Sequence, residues 1–71
     1  MKKIKDLEPG TNLKNIKFRT PDDQIYYWQS QWSYEDGKAG IWGKKDLESN
    51  QIFPIFLDKL SDALEFEIIE G

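Results

Sequence analysis

Apolar and polar positions alternate with a period of two along much of this chain. Between Asn12 and Arg19, Ile16 and Phe18 fall on one side and Lys17 and Arg19 on the other. That period predicts a strand. Gln24 to Ser33 and Lys38 to Lys44 are aromatic-rich or apolar runs separated by Asp36-Gly37, a strong hairpin signal. Gln51 to Leu57 reads as a fourth strand, and Pro54 confines it to an edge or a bend. Leu64 to Ile69 alternates again, with Glu65 and Glu67 set against Leu64, Phe66 and Ile68.

The connections carry their own signals. Leu7 to Thr11 contains Pro9-Gly10, which supplies a fixed φ and then a free one. Asp58 to Ala63 is short enough for a turn or one helical turn. Thr20-Pro21-Asp22-Asp23 has two readings. As a turn, it places Pro where a type I turn wants it. As a helix start, Thr20 is the N-cap and Pro21 the first helical residue, with a helix running to Gly37. The Ile, Tyr and Trp residues that follow prefer strands, and Asp36-Gly37 fits a hairpin, so the turn is favoured.

Five short strands with closely spaced turns predict an all-β fold. The expected form is a small five-stranded SH3-like barrel or a rolled antiparallel sheet, with an OB-like barrel as second choice. One short helical turn is expected near 58–63. The 71 residues leave room for one domain, 1–71, and the initial Met1 gives the look of a whole small protein.

The hairpin pattern also predicts which rings face inward. With Asp36 and Gly37 as the two central turn residues, Glu35 pairs with Lys38, Trp32 with Ile41, Gln31 with Trp42 and Ser30 with Gly43. One face then carries Trp28, Ser30, Trp32, Ile41 and Gly43, with the small Ser30/Gly43 pair between two large rings. This is the expected core. The other face carries Tyr27, Gln29, Gln31, Trp42 and Lys44. Trp42 is the misfit there: either it is an exposed anchor, or Met1–Glu8 or the C-terminal segment folds across it.

Composition narrows the chemistry. The chain has no Cys and no His. Disulfides, cysteine–histidine zinc sites, catalytic triads, thiolates and imidazole bases are all excluded. No cofactor is expected. Asp22-Asp23 and Glu35-Asp36 are turn formers, and neither has the ligand spacing of a calcium loop. Gly40-x-x-Gly43-Lys44 lacks the spacing and the Ser/Thr of a phosphate-binding loop. No apolar run reaches the roughly 20 residues of a membrane span, and the charged start lacks the apolar stretch of a signal peptide. A cytoplasmic protein with no membrane association is the expectation.

Net charge is −3 but unevenly spread. Residues 1–45 hold nine Lys/Arg and six Asp/Glu, whereas residues 46–71 hold one Lys and seven acids. Three functions remain open. The first is a non-catalytic module binding another protein as an adaptor, inhibitor or small subunit. It would dock through Tyr27 and Trp42, rimmed by Gln29, Gln31 and Lys44. The second is a single-stranded nucleic-acid binder using Lys14, Lys17, Arg19, Lys44 and Lys45 around Tyr27 and Trp42. The third is an acidic, phage-type inhibitor mimicking nucleic acid with Asp58, Asp62, Glu65, Glu67 and Glu70. The sequence favours the first.

Overall fold

The computed structural model describes residues 2–70; Met1 and Gly71 lie outside the described residues. Five strands form one antiparallel sheet: β1 (Lys17–Arg19), β2 (Ile25–Ser33), β3 (Ala39–Lys44), β4 (Phe53–Leu57) and β5 (Glu67–Ile68). Their order is β4-β3-β2-β1-β5. Two 3-10 turns, Ile4–Asp6 and Leu60–Glu65, complete the fold. The second lies close to the expected helical turn, two residues later.

β4 and β5 end the sheet and do not pair with each other, so the sheet is rolled and not closed into a barrel. The Leu60–Glu65 turn carries the chain between them and contributes buried Ala63 to the core. β4 is an edge strand, where the missing N–H of Pro54 is tolerated. At the opposite edge, the N-terminal segment lines β5. Ile4 N–H donates to Phe66 O (3.0 Å) and Ile68 N–H to Lys2 O (2.8 Å). That backbone pairing removes an open edge.

Ile4, Phe18, Trp28, Ile41, Ala63 and Phe66 form the buried cluster. Phe18 sits at its centre, fully buried. It stacks on Phe66 at 5.6 Å between centroids and meets Trp28 edge-on at 5.7 Å. Such pairs add about 0.5–1.5 kcal/mol each beyond the area they bury.

The two hairpin turns are built alike. Thr20 N–H donates to Gln24 O and Asp23 N–H to Thr20 O; Tyr34 N–H donates to Lys38 O and Gly37 N–H to Tyr34 O. Each is therefore a three-residue loop whose last residue is left-handed, Asp23 at φ 67° and Gly37 at φ 89°. Residues 20–24 form the turn, not a helix start. Buried Thr20 supports it by hydrogen bonding through its hydroxyl to Asp22 and to the Gln24 backbone.

The loop at 35–37 corrects the expected hairpin. A two-residue type I′ turn needs positive φ at both central residues, and Asp36 does not have it. Its carboxylate instead accepts from Lys38 N–H at 3.1 Å. Pairing thus moves by one residue: Trp32 faces Gly40, Gln31 faces Ile41 and Ser30 faces Trp42. A bulge at Gln29 then moves it again, so Trp28 faces Gly43 and Tyr27 faces Lys44. A one-residue slip flips the sheet face and a second slip restores it. Trp28 is in the core as expected. Trp32 is not, because it lies on the stretch between the two slips.

Two strands are shorter than their alternation suggested. Asn12 to Ile16 precedes β1 as irregular chain, with Asn15 left-handed at φ 68°. Residues 64 and 65 belong to the second 3-10 turn, which leaves Leu64 exposed while Phe66 is buried.

Candidate functional site

The outer face of the sheet is read from the strand pairings. Trp42 lies beside Ser30 on β2 and Pro54 on β4, and Gly40 lies between Trp32 and Phe56. Alternation then places Trp32, Trp42, Pro54 and Phe56 on one face, opposite the core. Their rings touch. Trp32 and Trp42 are 4.9 Å apart between centroids, and Phe56 meets Trp32 nearly perpendicularly at 5.9 Å.

Gly40 makes this packing possible. A Cβ on Gly40 would overlap the six-membered ring of Trp32, so the indole lies directly on the β3 backbone. Trp32 and Trp42 are partly buried by each other and by β4. Phe56 and Tyr34 are not: they are 79% and 65% exposed. Together these residues line a cleft of about 670 Å³ whose charged members are Lys38 and Asp58. Neither terminal segment packs over Trp42 among the described residues; the N-terminal one pairs with β5 instead.

The expected site residues separate. Tyr27 and Lys44 pair directly and share the outer face with Trp42. Lys17, which pairs with Tyr27 from β1, holds its ammonium 5.8 Å from the Tyr27 ring centroid. Gln29 is the bulge residue. Its amide donates to Asn15 Oδ1 and to the Trp28 carbonyl, both at 3.0 Å, so it braces the turn before β1 and does not rim the rings. Gln31 pairs with Ile41 and points to the opposite face.

Sequence reasoning missed Trp32, Tyr34, Pro54 and Phe56. For the last two the signal was present: in Phe53-Pro54-Ile55-Phe56-Leu57, alternation puts Pro54 and Phe56 together on one face. For Trp32 it was hidden by the turn length.

The charged groups are dispersed. Glu65 accepts from Lys3 and Lys5, each at 3.1 Å, at the β5 side of the molecule. Hydrogen bonds from Lys5 and then Lys3 hold its carboxyl below the ordinary carboxylate range. Arg19 lies 3.7 Å from Glu67, and its Nε is 3.3 Å from Asp23 without the alignment of a hydrogen bond. Lys45 reaches Gln24 and the Tyr26 ring, not the Trp42 cluster. Asp58 and Asp62 line a cleft with β4, Thr20 and Phe66. Among the described residues, no three acidic side chains converge as metal ligands would, and no helix is long and apolar enough to cross a membrane.

No known protein family matches this chain, and no curated protein and no solved structure matches it.

Proposed function

We propose that this protein is a non-catalytic binding module that docks another protein through the Trp32–Trp42–Phe56 face. The observation that carries this reading is Phe56, a large apolar ring 79% exposed beside two tryptophans and an open cleft. Aromatic anchors of this kind dominate interface energetics, and their exposure has a cost in the unbound protein. The absence of His and Cys leaves the face without the usual nucleophile–base pairs, which supports a binding role over a catalytic one.

Nucleic-acid binding is the second reading. It is favoured by Lys17, Tyr27 and Lys44, which extend the same face with cations and a ring. Mimicry of nucleic acid is weakened by the acids: Glu65 is paired with Lys3 and Lys5, and Glu67 with Arg19.

The test is affinity capture with the wild-type protein and with Phe56→Ala. A partner held by the first and lost by the second supports the reading. A single-stranded oligonucleotide that binds at physiological salt and quenches tryptophan fluorescence, with affinity falling steeply as salt rises, supports the alternative.

A further inference from the structure

The chain treats the two ends of its sheet differently. Beyond β5, the N-terminal segment pairs through Lys2 and Ile4 and covers the edge. Beyond β4, no strand pairs among the described residues. The space between β4 and the Thr20–Asp22 turn is instead an open cleft of about 650 Å³.

The phase of the ladder fixes what the β4 edge presents. In an antiparallel pair, bonded and non-bonded positions alternate. Tyr34 N–H donates to Lys38 O, so Lys38, Gly40 and Trp42 direct their backbone groups toward β2. Ala39, Ile41 and Gly43 therefore bond to β4, at Leu57, Ile55 and Phe53. Pro54, Phe56 and Asp58 alternate with these and turn their backbone groups outward. The missing N–H of Pro54 thus costs the ladder nothing. The outward edge offers the carbonyls of Pro54 and Phe56 and the N–H groups of Phe56 and Asp58. None of these is bonded among the described residues. Phe53 to Leu57 carries no charged side chain to guard such an edge.

We infer that β4 pairs antiparallel with β4 of a second copy of this chain, across a two-fold axis at Phe56. Each Phe56 N–H donates to the carbonyl of the partner's Phe56. Each Asp58 N–H donates to the carbonyl of the partner's Pro54. The donor that Pro54 lacks would have met the carbonyl of the partner's Asp58. β4 ends at Leu57, so that carbonyl lies where the chain bends away, exposed to water. The strand is its own complement in this register. Moving the axis to Ile55 would set Pro54 opposite the partner's Phe56 and leave both Phe56 carbonyls unpaired inside the interface. The two Phe56 rings become cross-strand neighbours on the outer face and join the two Trp32–Trp42 clusters into one surface. Because the other end of each sheet is covered, the pairing closes as a dimer and does not propagate. This inference goes beyond the docking role and does not depend on it, since the rings stay accessible from outside the sheet.

The experiment is sedimentation equilibrium of the intact protein over a range of concentrations, with backbone amide exchange read by nuclear magnetic resonance. A species of twice the chain mass should grow with concentration. The Phe56 and Asp58 amides should exchange more slowly as it forms, whereas those of Ile41 and Ile55, already inside the sheet, should change far less. Asp58→Pro removes one outward donor per copy and keeps the Phe56 ring; it should weaken dimerisation roughly tenfold. Asp58→Asn keeps the N–H and should dimerise as wild type does. Phe56→Pro should be monomeric. If a proline variant does not fold, amide exchange of the wild type decides alone. A single-chain mass at every concentration overturns the inference. So does a dimer whose Phe56 amide stays unprotected, a dimer that Asp58→Pro leaves undiminished, or open-ended assembly in place of a dimer.

Discussion

Trp28 and Trp32 stand four residues apart in β2, a spacing that puts two residues on the same face of a regular strand. Here they end on opposite faces. Trp28 is 4% exposed and packs edge-on against Phe18. Trp32 lies over Gly40 and packs against Trp42 and Phe56 on the outside. The bulge at Gln29 separates them. One extra residue lets a single strand serve two aromatic clusters: one holds the fold together, and the other is left open.

The comparison can be broken most severely by inserting one residue between Trp42 and Gly43, opposite Gln29. With Gln29 paired and the bulge removed, Trp28 and Trp32 keep their spacing of four and must share a face, so either the core loses Trp28 or Trp32 is forced inward. The expected result is loss of cooperative unfolding by circular dichroism. A stable, cooperative insertion variant would show that the bulge does not direct the two rings.

Alanine substitutions sharpen the same contrast. Trp28→Ala should cost about 3–5 kcal/mol, enough to unfold a domain with so small a core. Trp32→Ala should cost clearly less, because its ring is only partly removed from water. Equal costs in urea denaturation would contradict the assignment of faces.

Phe56→Ala tests what the outer cluster is for. It should weaken partner binding by about 2 kcal/mol or more. The side chain is largely exposed, so the melting temperature should move by under about 4 °C. A collapse in melting temperature would make the cluster structural.

Gly40→Ala probes the seat of Trp32. The added methyl overlaps the indole, so the ring must leave the β3 backbone. A stability loss of about 1–2 kcal/mol is expected. Contacts between Trp32 and Trp42 should also weaken in nuclear Overhauser spectra. Unchanged ring contacts would refute the close approach.

The smallest effect concerns pH. Glu65, held low by Lys5 and Lys3, gives stability that is present above the unfolded carboxylate value, about 4.3. That contribution is lost as pH falls through the lowered folded value. Both partners are exposed, so Glu65→Gln should leave stability almost unchanged at pH 7 and slightly reduce its loss on acidification. A large effect at pH 7 would show a role beyond these exposed pairs.

Much of this arrangement was legible in the sequence. Period two located the strands, Asp36-Gly37 marked the hairpin, Pro54 marked an edge, and Trp28 and Trp42 were assigned to their correct faces. The errors cluster between Gln29 and Ser33, for two physical reasons. Whether Asp-Gly closes a two- or three-residue loop depends on the φ of Asp36, which residue identity does not fix. The bulge depends on Gln29 meeting Asn15, a contact fourteen residues away in sequence. The ends of β1 and β5 failed because alternation does not mark where regular backbone begins: Asn15 and Ile16 still bond to Trp28 on β2 but Asn15 is left-handed, and residues 64–65 close the second 3-10 turn.

The most direct test is the spectrum of the three tryptophan indole N–H groups, followed as a partner captured by the wild-type protein and lost by Phe56→Ala is added. The account predicts that the Trp32 and Trp42 signals shift and saturate together while that of Trp28 stays in place. Movement of Trp28 in step with them, or a stationary Trp32 and Trp42 at saturation, would contradict it.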